Sequence, residues 1–331
     1  MKQIKKSDDI RIIIGEIIGK SKDILEEKEF VENGEEIWEF EDLVSNFEKL
    51  DKRKDEDEDD TLRFKHKRDS ERNKFISLLM SKMRDRIDFF EKELEIAHRI
   101  QKKMIPKSLP SVDGYELEGF YRPSKQVGGD YYDCFFNSDD HMYFVIADVS
   151  GKGIPSSLVV ASMQAYIHAE IQENQPLNLI LENLNNYLVD TLEYEKYVTL
   201  FMGKLEFADG KITYINAGHN PPFVINTDRL IELKGGGPIL GQFKDIHYEI
   251  HDFVMRKGDV LAMFTDGVTE EFNEKEEEFS EERFVKSIKK NTNKPLLEVF
   301  VDLIKEIKKF TGNKPFGDDL TMLFIRKKDK Q

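Results

Sequence analysis

The chain has 331 residues, a single cysteine (Cys134), 35% charged residues and a net charge of −15. That length allows one large domain and a smaller one, and the acidic balance, with no basic stripe in the larger part, argues against nucleic-acid binding. One cysteine excludes an internal disulfide framework and suits a reducing cytoplasm. No apolar run approaches the ~18 residues of a membrane helix, and MKQIKKSDD leads into no secretory signal, so a cytoplasmic protein without membrane insertion is expected.

Residues 1–50 read as a small helical segment. Ile10, Ile13, Ile14, Ile17 and Ile18 fall at helical spacing, and Phe40, Leu43, Val44, Phe47 and Leu50 form a second face after Asn33-Gly34. Alone it is too small to bury a good core, so it is expected to dimerise, to dock on an activating partner, or simply to pack. Residues 51–74 read as a charged linker, opening on DKRKDEDEDD.

Residues 75–105 read as a coiled-coil or dimerisation helix. Ile76, Met80, Met83, Ile87, Phe90, Leu94 and Ala97 form an apolar seam with charged residues between, extended by Gln101 and Met104. A homodimer through this seam is expected, against the alternative of one long helix packed on its own domain. The helix should stop before Pro106, because residues preceding proline avoid the helical region.

Residues 106–331 mix short strands and helices without regular alternation, which favours an α+β fold. Three apolar runs read as buried strands: Met142–Ala147, Val260–Phe264 and Leu320–Ile325. Each carries acidic residues at one end. Asp148 follows the first, Asp266 follows the second, Asp318 and Asp319 precede the third, and Asp130 closes a Gly128-Gly129 turn. A lone aspartate at a strand end is often only a turn former. Several together suit a hard divalent cation, since strand ends can present charge that strand interiors cannot. Pro155 opens a helix that is apolar on most faces and is expected to be buried. Leu177–Leu188 marks another helix, Tyr197–Leu205 and Ile212–Ile215 a hairpin across Asp209-Gly210, and Phe284–Ile288 and Leu297–Phe310 two more helices.

The motifs GGDYYD, IADVSGKGIPSS, NAGHNPP, TDGVTE and GDDLTML occur in this order. Together they resemble the SpoIIE/RsbU branch of the PPM-type metal-dependent Ser/Thr protein phosphatases, over roughly residues 96–328. The resemblance implies a sandwich of two antiparallel β-sheets flanked by helices. It also implies a centre of two divalent cations, Mn²⁺ or Mg²⁺, whose shared water attacks phosphorus. On it, Asp148 bridges both ions, the Val149 carbonyl completes the first shell, Asp266 binds the second ion, and Asp130 ligates directly or through water. Asp318 or Asp319 supplies the last acidic position, with Asp318 the better match. Lys152 and Arg122 could each touch a phosphate.

Other catalytic readings fail on residues. A phosphatase thiolate at Cys134 would need an arginine six positions on, where Asp140 stands. Gly151-Lys152-Gly153 lacks the serine or threonine of a phosphate-binding loop, and Gly235-Gly236-Gly237 lacks dinucleotide spacing. His219 reads as structural in a turn. Two function classes remain. One is a phosphatase acting on a phosphorylated signalling protein, by resemblance an anti-sigma-factor antagonist. The other is a regulatory dimeric scaffold in which hydrolysis is secondary. In either, the N-terminal helices are expected to act on the catalytic domain by repositioning the helix after Pro155.

Overall fold

The computed structural model describes residues 61–328, except 194, 313 and 315. The two faces expected within residues 1–50 and the charge run at 51–60 lie outside the described residues. The chain divides into two units, Met1–Asp88 and Phe89–Gln331, and helix α1, Thr61–Met104, runs through the division. It begins inside the stretch expected as a charged linker, 51–74. The stretch from Thr61 to Lys74 contains no Pro or Gly, the two residues that most disfavour a helix. The helix stops at Met104, two residues before Pro106, as the steric restriction before proline predicts.

The seam along α1 splits into two regimes. Ile87 and Phe90 are 54% and 56% exposed, and Met80 and Met83 are exposed as well. Leu94 and Ala97 are half-buried and Gln101 is buried. The packed-helix alternative therefore describes the last turns of α1.

Two sheets follow. Strands β1 (Tyr115–Arg122), β2 (Asp130–Ser138) and β3 (His141–Val149) precede helices α2 (Ile154–Gln172) and α3 (Leu177–Thr191). Then come β4 (Val198–Glu206), β5 (Lys211–Ala217), β6 (Phe223–Ile225), β7 (Leu230–Glu232), β8 (Gly236–Gly237), β9 (His251–Val254) and β10 (Val260–Phe264). Helices α4 (Asp266–Thr269), α5 (Ser280–Lys290) and α6 (Leu296–Phe310) lead to β11 (Leu320–Lys327). One sheet has the order β1-β11-β10-β6-β7, the other β2-β3-β4-β5-β8, with β9 also paired to β5. Pairing is antiparallel except between β5 and β8. This is the expected α+β sandwich. The hairpin at Asp209-Gly210 forms as its sequence predicts, with Gly210 at φ 81° and Lys211 N–H donating to Asp209 Oδ1 at 2.8 Å.

Alternation along β11 explains its apolar run from Met322 to Ile325. Leu320, Met322 and Phe324 pack with Phe284, Phe300 and Leu303 of α5 and α6. Leu323 and Ile325 pack inward with Leu261, Met263 and the second sheet. Both faces are covered, so neither needs polar residues, and each such side chain contributes about 2 kcal/mol of burial. The strand ends are thereby carried on a rigid double layer.

Helix α2 departs from the sequence expectation. It buries one face, Ser156, Val160, Met163, Ile167 and Ile171, while Ile154 and Leu158 are exposed. A helix lying on one sheet covers one stripe, and apolar residues beyond that stripe stay in water. Gln164 Nε2 donates to the Met104 carbonyl at 2.8 Å, which ties α2 to the end of α1.

Candidate active site

The ladders bring the acidic strand ends to one end of the sandwich. Asp130, first in β2, stands opposite Asp148 near the end of β3. β10 and β11 are antiparallel with Phe264 opposite Met322, so the end of one coincides with the start of the other. Thr265 N–H donates to the Thr321 carbonyl at 3.0 Å there. The sheets are joined at this point: Thr265 and Thr321 hydroxyls both donate to Asp130 Oδ2, at 2.7 and 2.6 Å. Asp266 opens α4 directly after Thr265, and Asp318 and Asp319 directly precede β11.

Gathering these carboxylates is electrostatically costly, and the protein shows it. Burial, and then the charge of Asp266, pushes Asp148 up to about 7, with Asp318 and Asp319 adding and a hydrogen bond from Asp130 opposing. Burial, then Asp148, holds Asp130 well above the usual carboxylate range. Burial, then Asp318, raises Asp266, while the Gly267 N–H and Lys152 oppose.

The two adjacent aspartates before β11 are used differently. Asp319 is buried. Its Oδ1 accepts from Ser124 N–H and Oγ–H at 2.7 and 2.9 Å, and its Oδ2 accepts from Gly129 N–H at 2.7 Å. It tethers two loops and has both oxygens engaged. Asp318 is half-buried, and its Oδ2 lies 2.8 Å from Lys152 Nζ. Lys152 Nζ also donates to the Gly317 carbonyl at 2.8 Å. Val149 is buried, and its N–H donates to the Gly129 carbonyl at 3.1 Å. Any Cβ on Gly129 would sit 2.7 Å from the Val149 oxygen, so a glycine is needed where the turn passes that carbonyl. Arg122 stacks its guanidinium over Phe316, 4.7 Å from the ring centre, two residues before Asp318.

Among the described residues, no three acidic side chains yet converge on one point. Asp130 is turned to its threonines, Asp319 to Ser124 and Gly129, and Asp318 to Lys152. The donor chemistry nevertheless fits hard divalent cations. Carboxylates and a peptide carbonyl lie there without thiolate or imidazole, and the raising of Asp148 by Asp266, and of Asp266 by Asp318, marks negative charge that a cation would neutralise.

Sequence reasoning missed the supports of this site. Thr265 and Thr321 orient Asp130, and Ser124 fixes Asp319. Glu271 Oε1 accepts from Gly317 N–H at 2.8 Å. Gln101 is buried at the end of α1; its Nε2 donates to the Gly128 carbonyl at 2.7 Å, and its Oε1 accepts from Gly128 N–H at 3.0 Å and from Tyr121 OH at 3.1 Å. A polar residue at a seam position was the signal available in the sequence. His219 is buried and shares a 2.8 Å hydrogen bond with Thr199, while the Asn216 side chain bonds its backbone N–H and carbonyl. Burial pulls it down to about 4, so it is neutral at pH 7 and fits a structural turn. Burial, then Asp133, pushes the Cys134 thiol up, which leaves no thiolate nucleophile.

Residues 138–328 match the family described as Stage II sporulation protein E (SpoIIE). Over 284 residues the chain is 26% identical to Protein IcfG of Synechocystis sp., covering 77% of this chain and 44% of IcfG. Over 180 residues it is 29% identical to the phosphoserine phosphatase RsbU of Bacillus subtilis, covering 54% of this chain and 53% of RsbU. The chain thus spans about half the length of these curated relatives. The SiaA-PP2C domain of Pseudomonas aeruginosa matches with a TM-score of 0.63 at 20% identity, over 72% of this chain and 97% of that domain, which shows a common fold. The family match takes in more than half of the chain, including Asp148, Asp266 and Asp318. This chain belongs to the SpoIIE family.

Proposed function

We propose that this chain is a Ser/Thr phosphoprotein phosphatase dependent on two divalent cations, Mn²⁺ or Mg²⁺. The observation that carries this reading is the meeting of Asp130, Asp148, Asp266 and Asp318 at one end of a PP2C-like sandwich. Asp148, with Asp130 opposite and the charge of Asp266 acting on it, would be the central carboxylate holding the ions. The Val149 carbonyl, Asp266 and Asp318 would complete the set, with Asp130 holding an ion directly or through water. Asp319 is a tether rather than a ligand, because it is buried with both oxygens held by the backbone N–H groups of Ser124 and Gly129, whereas Asp318 is half-exposed and its Oδ2 is held only by the mobile Lys152. When bound, two such ions lower the pKa of a shared water and neutralise charge at the phosphoryl group. The chain itself fixes the positions: the threonine pair and the Gly128-Gly129 turn set Asp130, and Glu271 sets the loop bearing Asp318. Lys152 and Arg122 are the cations available to a phosphate. The substrate is a phosphoserine or phosphothreonine on a signalling protein, and the family resemblance of the motifs points to an anti-sigma-factor antagonist.

The test is hydrolysis of phosphoserine and phosphothreonine proteins by the full chain. Activity should require added Mn²⁺ or Mg²⁺ and fall about 100-fold or more in excess chelator. Undiminished turnover in chelator would refute the reading.

We further propose a homodimer through α1, controlled by a partner at the N-terminal region. An exposed apolar seam on a long helix favours a second helix as its cover. Gln101 supports the control, since it connects the end of α1 to Gly128, two residues before Asp130. Glutamate substitutions at Ile87 and Phe90, both more than half exposed, should give monomers and raise the Mn²⁺ concentration for half-maximal activity. Sedimentation at an unchanged mass would reject the dimer. Monomers with an unchanged Mn²⁺ titration would reject the coupling.

A further inference from the structure

Lys152 lies among the acidic groups and engages one of them directly. Its Nζ is 2.8 Å from Asp318 Oδ2 and donates to the Gly317 carbonyl at 2.8 Å. The two side chains are 37% and 43% exposed, so solvent and solutes reach the pair. We propose that Lys152 is an exchangeable counter-ion: it holds Asp318 while no divalent cation is bound there, and swings to the substrate's phosphoryl oxygens when one is. This rests on the two-cation reading above and extends it to how the site is kept neutral before and after loading.

Three features carry the inference. First, an ammonium and a divalent cation held on the same carboxylate repel each other at short range, so binding of the metal weakens the hold on the lysine. Asp318 Oδ1 accepts from Asp319 N–H at 2.8 Å and Oδ2 is held by Lys152, so a cation that binds this carboxylate competes with that ammonium. Second, Asp318 does not depend on Lys152 for its place. The Gly317 N–H is held by Glu271 at 2.8 Å, and the next residue, Asp319, is fixed to Ser124 and Gly129. The carboxylate therefore stays when the lysine leaves. Third, Lys152 is free to leave. Its neighbours Gly151 and Gly153 have φ of 96° and 90°, and a Cβ on Gly153 would meet nothing within 4 Å. The turn is thus open on its Gly153 side, while a Cβ on Gly151 would lie 3.0 Å from Lys196 Nζ, and the lysine has a flexible four-carbon stem. A phosphoryl group brought to cations among Asp148, Asp266 and Asp318 would be the nearest unpaired anion for the released ammonium, which binds phosphate as a point charge.

An ordinary surface ion pair would behave otherwise, because its loss leaves metal affinity unchanged. The experiment uses full-length Lys152→Gln and Lys152→Arg. Mn²⁺ binding is measured by titration calorimetry. Inorganic phosphate is the probe for anion binding to the Mn²⁺-loaded protein, read as an inhibition constant. Lys152→Gln should bind Mn²⁺ about fivefold tighter at the weaker site, since no half-exposed ion pair must then be broken. It should bind phosphate about tenfold more weakly, and raise KM more than it lowers kcat. Lys152→Arg keeps the charge and the fold. It should retain phosphate binding, while its fork grips Asp318 and weakens Mn²⁺. Unchanged or weaker Mn²⁺ binding by folded Lys152→Gln would overturn the exchange, as would unchanged phosphate binding. Failure of the wild-type chain to bind Mn²⁺ at all would instead overturn the two-cation reading.

Discussion

An Asp148→Asn chain should lose about 10³-fold or more in turnover while keeping its fold. Asp148 sits opposite Asp130 in the β2–β3 ladder, and the charge of Asp266 acts on it. A neutral amide cannot bridge two cations, and removing one negative charge between them should release at least one ion. The same substitution should relieve the metal-free protein. Asp148 holds its proton up to about 7, against an ordinary value of 3.8. The folded state therefore binds this proton more tightly than the unfolded state. The stability it contributes is complete below about 3.8 and is lost as pH rises towards about 7. Asparagine does not titrate, so in chelator the melting temperature of Asp148→Asn should fall less than that of the wild type across this window. Turnover with Mn²⁺ and melting curves in chelator check the two halves. Wild-type turnover by the folded variant would place the bridging carboxylate elsewhere, and an identical pH slope would show that Asp148 is not the repelled group.

Gly267→Ala should be nearly as damaging, through packing. Gly267 follows Asp266 in α4. A Cβ there would lie 2.1 Å from the Asp319 carbonyl oxygen and 3.1 Å from Asp318 Cβ. Neither can yield readily, since Asp319 is pinned by Ser124 and Gly129 and leads into a strand buried on both faces. The backbone of α4 must move instead, carrying Asp266 with it. Overpacking of this kind costs about 3 kcal/mol, and displacing a ligand by about an ångström can cost about 100-fold in rate. Denaturant unfolding and turnover measured on one preparation test both. An alanine variant with wild-type stability and rate would mean that the loop at Asp318–Asp319 is softer than its hydrogen bonds indicate.

Much of this site is legible in the chain because its parts are local. Short apolar runs with β-branched and aromatic residues read as strands, and the charges at their ends stand out since buried strand interiors exclude them. The stop at Met104 and the turn at Asp209-Gly210 are written in proline and glycine chemistry. The charged stretch after Thr61 misleads, because charge disfavours burial without disfavouring the helix. The exposed face of α2 misleads in the opposite sense, since apolar content says nothing of how much neighbouring surface is available to cover it. Asp318 and Asp319 are chemically identical neighbours, and only the tertiary structure separates them. The parity of β11 sends Asp319 and Thr321 inward, to Ser124, Gly129 and Asp130, while Leu320 and Met322 face the helices and Asp318 stands beside Lys152. Gln101 is the same kind of case. Its partner Gly128 is 27 residues away, and a pairing at that range is set by how α1 meets the β1–β2 turn, which no local pattern encodes.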